Sequence, residues 1–407
     1  MTLRAPAAWI RVAFAMFAVG WGANQFSPML IVYRQALGLG AAEIAGLFAI
    51  YAATLIPGLL AGGPLSDRFG RRACVLPFAA LSPVATLLLV LGPHNLALIS
   101  AGRALAGLCS GMVFGPATAW VQDLSGGSAL SARRAALALS AGFGLGPIVA
   151  AVLAQWAADP LVVPYLPHLA LGVVALAAVA SVPDAQRPAQ PGPAARRLAV
   201  PAALRTRAFW LTVAPAAPFV FGSVSLAIVV LPEEVTSAHT LSAAYAGLMT
   251  LLAFAAGIGV QPAARILAAR SDRLGILAGT AAAAAGAAVS AVAVAGPDRA
   301  LAGLGAVLLG LAYGLCLVCG LHQAERVSDP TDRGAVLSCY YVLAYLGFAA
   351  PYAVDGLNEV FGKPGTFAVL AVAAAVLTGL LAASTARRRP AVTGEPRAAH
   401  TWDHARS

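Results

Sequence analysis

The chain has 407 residues, is 60% hydrophobic and carries only 10% charged residues, where a soluble protein would carry about 25%. This excludes an ordinary soluble enzyme and points to a polytopic membrane protein with little mass outside the bilayer. The net charge of +10 does not suggest nucleic-acid binding, because the arginines are distributed among the gaps between apolar runs and form no single basic face.

Arg4 and Arg11 precede an apolar run that continues to Val32. It is too long for the apolar part of a signal peptide and no cleavage site closes it, so it reads as an uncleaved first helix, 9–32. Asn24 and Gln25 fall near its middle. Uncharged polar side chains at that depth line bundle interiors more often than they face lipid, which makes both cavity candidates. Helix two is expected over 43–62 and helix three over 73–91, joined by Gly63-Pro64-Leu65-Ser66-Asp67-Arg68-Phe69-Gly70-Arg71-Arg72. The glycines at 63 and 70 allow close backbone approach. Helix four is expected over 97–121, with Arg103 inside it and Asp123 beyond its end, where it could reach an arginine of the 63–72 block. Helix five, 134–156, carries Gly142, Gly146 and Pro147. Proline removes a backbone hydrogen bond and glycines admit a close neighbour, so this is a packing hinge. Helix six is expected over 165–182.

Residues 184–208 are Pro-rich, polar and basic and read as a linker. Six further spans follow, at 209–231, 242–262, 275–295, 300–321, 334–356 and 365–384. Tyr313 on the tenth and Tyr341 and Tyr345 on the eleventh are further cavity candidates. The organisation expected is therefore a six-helix half at 1–183, the linker at 184–208, a second half at 209–385 and a polar, disordered tail at 386–407. Of the 26 lysines and arginines, all but Arg34, Arg103, Arg299 and Lys363 fall on one side of this arrangement. That asymmetry puts both termini in the cytoplasm. Ala45-Gly46-Leu47 recurs as Ala246-Gly247-Leu248, and Ser66-Asp67-Arg68-Phe69-Gly70 has a counterpart in Ser271-Asp272-Arg273-Leu274-Gly275. Placed in matching loops, the echoes fit two parallel halves.

The 63–72 block resembles the G-x-L-x-D-R-x-G-R-[KR] signature between the second and third helices of the major facilitator superfamily. Gly63, Leu65, Asp67, Arg68, Gly70, Arg71 and Arg72 match it. The resemblance implies an all-α integral membrane fold of twelve transmembrane helices in two pseudo-symmetric halves. It also implies a gating latch of Asp67, Arg71 and Asp123 that engages in the outward-facing state. Arg103 with Gly107 is similar to the R-x-x-x-G pattern of helix four, where the arginine faces the cavity and is tied to proton coupling. Gly142 to Pro147 resembles the G-x-x-x-G-P motif of proton-coupled exporters, with Ala150-Ala151 in place of the usual trailing glycines.

No Asp or Glu falls at the centre of a span, so proton coupling follows here from the resemblance. The candidates Glu43, Asp67 and Asp355 all stand near span ends. Cys316 and Cys319 on one face of an apolar helix read as small packing residues. No nucleotide-binding loop G-x-x-x-x-G-K-[ST] is present, and six scattered histidines supply no metal or catalytic cluster.

The expectation is a secondary active transporter in a bacterial inner (plasma) membrane, with no metal and no cofactor. It would export a small, largely apolar organic compound in exchange for protons. The alternatives are uptake of a small organic solute, a membrane sensor or an integral-membrane enzyme. Its partners are the small-molecule substrate, the lipid bilayer and protons. No nucleic acid and no obligatory protein partner is expected, because one chain contains both halves and a monomer suffices.

Overall fold

The computed structural model describes residues 6–125, 129–183, 202–207, 209–236, 242–271, 273–328 and 333–386. The expected linker lies outside these apart from 202–207, as does the tail beyond 386. All regular structure among the described residues is helical, as hydrocarbon demands, since a helix satisfies its backbone donors and acceptors internally.

The N-terminal group is α1 (Pro6–Asn24), α2 (Met29–Leu37), α3 (Ala41–Phe69), α4 (Arg71–Leu91), α5 (Leu96–Leu124), α6 (Ala129–Trp156) and α7 (Leu166–Ala180). The C-terminal group is α8 (Pro218–Ser225), α9 (Leu231–Val235), α10 (Ala243–Gly259), α11 (Gln261–Arg270), α12 (Leu274–Ala295), α13 (Arg299–Arg326), α14 (Arg333–Tyr345) and α15 (Ala350–Ala386). Among the described residues ten helical stretches are long and apolar enough to cross a membrane. The expected first span is not among them: it is broken by a turn at 25–28, where Pro28 has no N–H to continue the ladder. The expected spans eleven and twelve share one stretch, Cys339–Ala383. They are separated by Gly362, at φ 69° and ψ 164°.

Several expected boundaries are corrected: the fifth helix begins at Ala129, and the eighth and tenth spans run on to Arg270 and Arg326. The second helix does not stop at 62 but runs through Pro57 and Pro64 to Phe69, so the ten-residue turn shrinks to Gly70. The seventh span, Phe209–Val235, is not one regular helix. Pro215 and Pro218 break its ladder, and π and 3-10 turns flank α8. It is more deeply buried than the other candidate spans.

The packing scheme repeats along the chain. In the N-terminal group α3 and α4 pack on α5, α1 packs on α5, α6 and α7, and α4 packs on α7. In the C-terminal group α10 and α12 pack on α13, α8 packs on α13 and α14, and α12 packs on α15. The groups meet where α6 packs on α10, α2 on α10, and α3 on α14 and α15. Lipid is as apolar as leucine, so tight contact between small residues replaces the hydrophobic drive at these crossings.

Candidate functional site

Gly70, with φ 97° and ψ 154°, turns the chain directly from α3 into α4; that φ is cheap only for glycine. Gly63 makes no close approach, as a Cβ there would meet nothing within 4 Å. Arg71 organises this end of the bundle. Its Nε stands 3.5 Å from Asp123 Oδ2, and its Nη1 donates to Ser66 Oγ at 2.6 Å. Ser66 Oγ in turn donates to the Gly63 carbonyl at 3.0 Å. The start of α4 is thereby tied to the ends of α3 and α5, and the expected pairing of Asp123 with a 63–72 arginine is present. Arg72 donates to the Val182 carbonyl at 2.8 Å, and Arg68 lies over the Phe69 ring at 5.0 Å. Asp67 falls in the last turn of α3, with its side chain outside the described set.

The Gly142–Pro147 segment lies within α6, which continues through Pro147. A Cβ at Gly142 would run into the Phe17 carbonyl and the Trp21 amide, and one at Gly146 would stand 2.7 Å from the Trp21 carbonyl. The two glycines therefore let α6 lie directly on the α1 backbone. Asn24, expected in the cavity, clamps this crossing by donating from Nδ2 to the Phe143 carbonyl at 2.7 Å.

Gln25 is fully buried, and its contacts lie within the N-terminal group. Its Nε2 donates to Thr86 Oγ1 at 3.1 Å, which is 2.8 Å from His168 Nδ1, while its own Oε1 has no partner. His168, passed over in the sequence as one of six scattered histidines, is 1% exposed and packs where any side chain on Gly22 would stand. No spacing rule marks it, since its partners come from two other helices, α1 and α4.

Arg103 is 2% exposed and does not face an open cavity. Its guanidinium is sandwiched, 4.3 Å from the Phe26 ring centroid and 4.6 Å from that of Tyr51. Nε donates to the Leu47 carbonyl and Nη1 to the Ala23 carbonyl, both at 3.2 Å. Carbonyl dipoles and ring faces thus solvate a charge that costs roughly 2.5–3.5 kcal/mol to insert.

Tyr51 also belongs to a second assembly. Its ring meets that of Phe348 edge-on at 6.3 Å, and Phe48 meets Phe348 at 5.0 Å and 90°. Phe221 stacks on Tyr345 at 4.4 Å and on Phe348 at 4.8 Å. Tyr313 lies 6.2 Å from Phe221 and 5.7 Å from Phe254. Rings from α3, α8, α10, α13, α14 and the 346–349 turn thus form one aromatic cluster across the join between the groups. Two of the tyrosines singled out in the sequence, Tyr313 and Tyr345, belong to it. Tyr341 pairs instead with Tyr340, at 6.5 Å. Phe48, Phe221, Phe254 and Phe348 could not be told from ordinary apolar residues without knowing the helix rotations.

At the opposite end from Gly70 the groups are bridged by Arg34 of α2 and Glu233 of α9, whose Nη1 and Oε2 are 2.6 Å apart. The neighbouring Glu234 holds its own group together, 2.8 Å from Lys363 Nζ and accepting from Asn358 Nδ2 at 2.9 Å. The Ala244 amide donates to Gln155 Oε1 at 3.3 Å, a second tie between groups. Among the described residues no cluster of three metal-ligating side chains occurs.

A family model described as Major Facilitator Superfamily matches residues 12–350. The chain is 29% identical over 374 residues to a Thermoproteus tenax protein described as an uncharacterized 38 kDa protein in the 23S RNA operon, covering 86% of this chain and 90% of that one. It is 26% identical over 144 residues to the quinolone resistance protein NorA of Staphylococcus aureus (strain Mu50 / ATCC 700699), covering 35% of this chain and 37% of NorA. Among solved structures, a POT family transporter in complex with 5-aminolevulinic acid superposes with a TM-score of 0.76 at 13% identity, over 93% of this chain and 96% of that one. A point mutant of the nucleoside transporter NupG does so with a TM-score of 0.72 at 10% identity, over 92% of this chain and 99% of that one. At such identities the likeness is one of fold.

Proposed function

The chain belongs to the major facilitator superfamily, and on that premise we propose that it exports a small, largely apolar organic compound in exchange for protons by alternating access. The observation that carries this reading is the aromatic cluster. It stands where the two helix groups meet, near the middle of Phe209–Val235 and Arg299–Arg326, and both groups contribute rings to it. Rocking the groups about this point would open the cluster towards one side of the membrane and then the other. Support for export comes from the Gly142–Pro147 pattern and from the partial likeness to NorA.

In this reading residues 1–183 and 209–385 are the two halves, twelve helices cross the membrane, and the Gly70 end and both termini are cytoplasmic. Such a chain works as a monomer in a bacterial inner membrane. The structure is then closed on the outside by Arg34–Glu233 and Gln155–Ala244. The Arg71–Asp123 contact lies within the N-terminal half, so it does not itself join the halves on the cytoplasmic side and is compatible with an outside that is closed.

The test is accumulation of fluorescent aromatic compounds, neutral, anionic and cationic, in cells expressing the chain or its Asp123→Asn variant, with and without an uncoupler. Lower accumulation with the parent chain, abolished by both the variant and the uncoupler, is the expected result. Higher accumulation would reverse the direction, and no change for any compound would overturn the proposal.

A further inference from the structure

Resting on the transporter reading, we propose that the compound handled at the aromatic cluster is a planar aromatic molecule with a neutral or acidic polar group, and that cations are rejected. An aromatic cluster alone would suggest the reverse, because ring faces attract cations. Two features of this cluster turn the argument round. The ring faces are already engaged: Phe221 stacks within 17° of parallel on Tyr345 and within 25° on Phe348. One face of Tyr51 carries Arg103. A flat ring can slide between such plates, whereas an ammonium group needs several open faces at once.

The second feature is charge. Among the described residues, each acidic side chain stands between helices, within about two turns of a helix end or close to the break at Gly362. The carboxylates of α9 already hold Arg34, Lys363 and Asn358. Among the described residues Arg103 is the one charged side chain deep in a span, and its hydrogen bonds go to two carbonyls, with no carboxylate beside it. Tyr51 is the ring shared by Arg103 and the cluster. A ligand between the rings therefore feels an uncompensated positive field with little water to screen it. At about 10 Å and an effective dielectric of about 20, that field separates a cation from a neutral analogue by roughly tenfold in affinity, and favours an anion. Buried acceptors do not offset it: Gln25 Oε1 and Ser225 Oγ have no partner among the described residues, and each is a dipole that can at most orient a polar group.

The experiment uses the purified full chain in lipid nanodiscs and three probes of one size and shape: naphthoate, naphthol and N-methylquinolinium. Binding is read by equilibrium dialysis against empty nanodiscs. Naphthoate and naphthol should bind at least about tenfold more tightly than N-methylquinolinium. Arg103→Gln should bring the three towards parity, and Arg103→Lys should keep the ranking. Should Arg103→Gln fail to fold, the parent ranking and Arg103→Lys still decide. Equal or tighter binding of the cation, an unchanged ranking in Arg103→Gln, or no binding of any probe would overturn the inference. Export of a cation from cells would overturn it too and leave the transporter reading standing, whereas no export of any compound removes both.

Discussion

Replacing Glu233 by glutamine keeps the shape of the side chain and removes the charge that holds Arg34 across the two helix groups. The contact is short, 2.6 Å, but the side chains are 35% and 23% exposed, which limits its worth to about 1 kcal/mol. Loss of that amount shifts the ratio of closed to open forms at this end about fivefold. The reporter is a cysteine at Ala246, which is 1% exposed and packs on Ile31 of α2 across the join. Its alkylation by a membrane-impermeant maleimide should run about fivefold faster in Glu233→Gln. The five native cysteines are buried or half-buried and give the background rate, measured in the chain without the added thiol. Arg34→Gln should produce the same rise, the double variant little more, and the charge swap Arg34→Glu with Glu233→Arg should restore the slow rate. If the two single changes add fully in the double variant, or neither alters the rate, the pair is not what holds this end shut.

Three further outcomes follow from the packing. Gly146→Leu should cost at least about 2–3 kcal/mol by forcing α6 off the Trp21 backbone, seen as loss of monodisperse protein in detergent, whereas Gly63→Ala, with open space around it, should leave the melting temperature unchanged. Gly70→Ala should lower thermal stability by about 1–2 kcal/mol through strain at φ 97°, measured by thermal shift, and Arg71→Ala should not reproduce that loss if backbone strain is its cause. Phe348→Ala removes the ring that touches Phe48, Tyr51, Phe221 and Tyr345, so naphthol affinity should fall about tenfold or more by loss of stacking, and an unchanged affinity would place the ligand elsewhere.

Much of the site could be read from residue type and spacing where the chemistry is local. The Arg71–Asp123 contact was legible because both residues stand at the same end of neighbouring helices, and an acid there needs a partner. Gly142 and Gly146 were legible as a packing stripe because four residues bring them back to one helix face. Gln25 is legible only as an inward-pointing polar side chain, whereas its link to Thr86 and His168 within one helix group depends on tertiary packing. Glu233 is not legible from the sequence, where the seventh span ends at 231. The π turn at 226–230 and α9 carry the helical run on to Val235, where Glu233 meets Arg34.

The sequence by itself determined that this is a membrane-spanning, all-helical chain with most of its breaks where observed, because a window of apolar residues, a proline or a glycine acts on the backbone within a few residues. It also determined which end gathers the arginines, since that is a count along the chain. Only the tertiary structure decided what each face meets. Arg103 without a carboxylate, the aromatic cluster across the two groups and the Arg34–Glu233 bridge all depend on how neighbouring helices are rotated about their axes. In hydrocarbon an apolar side chain satisfies lipid and protein alike, so periodicity leaves that rotation open until packing sets it.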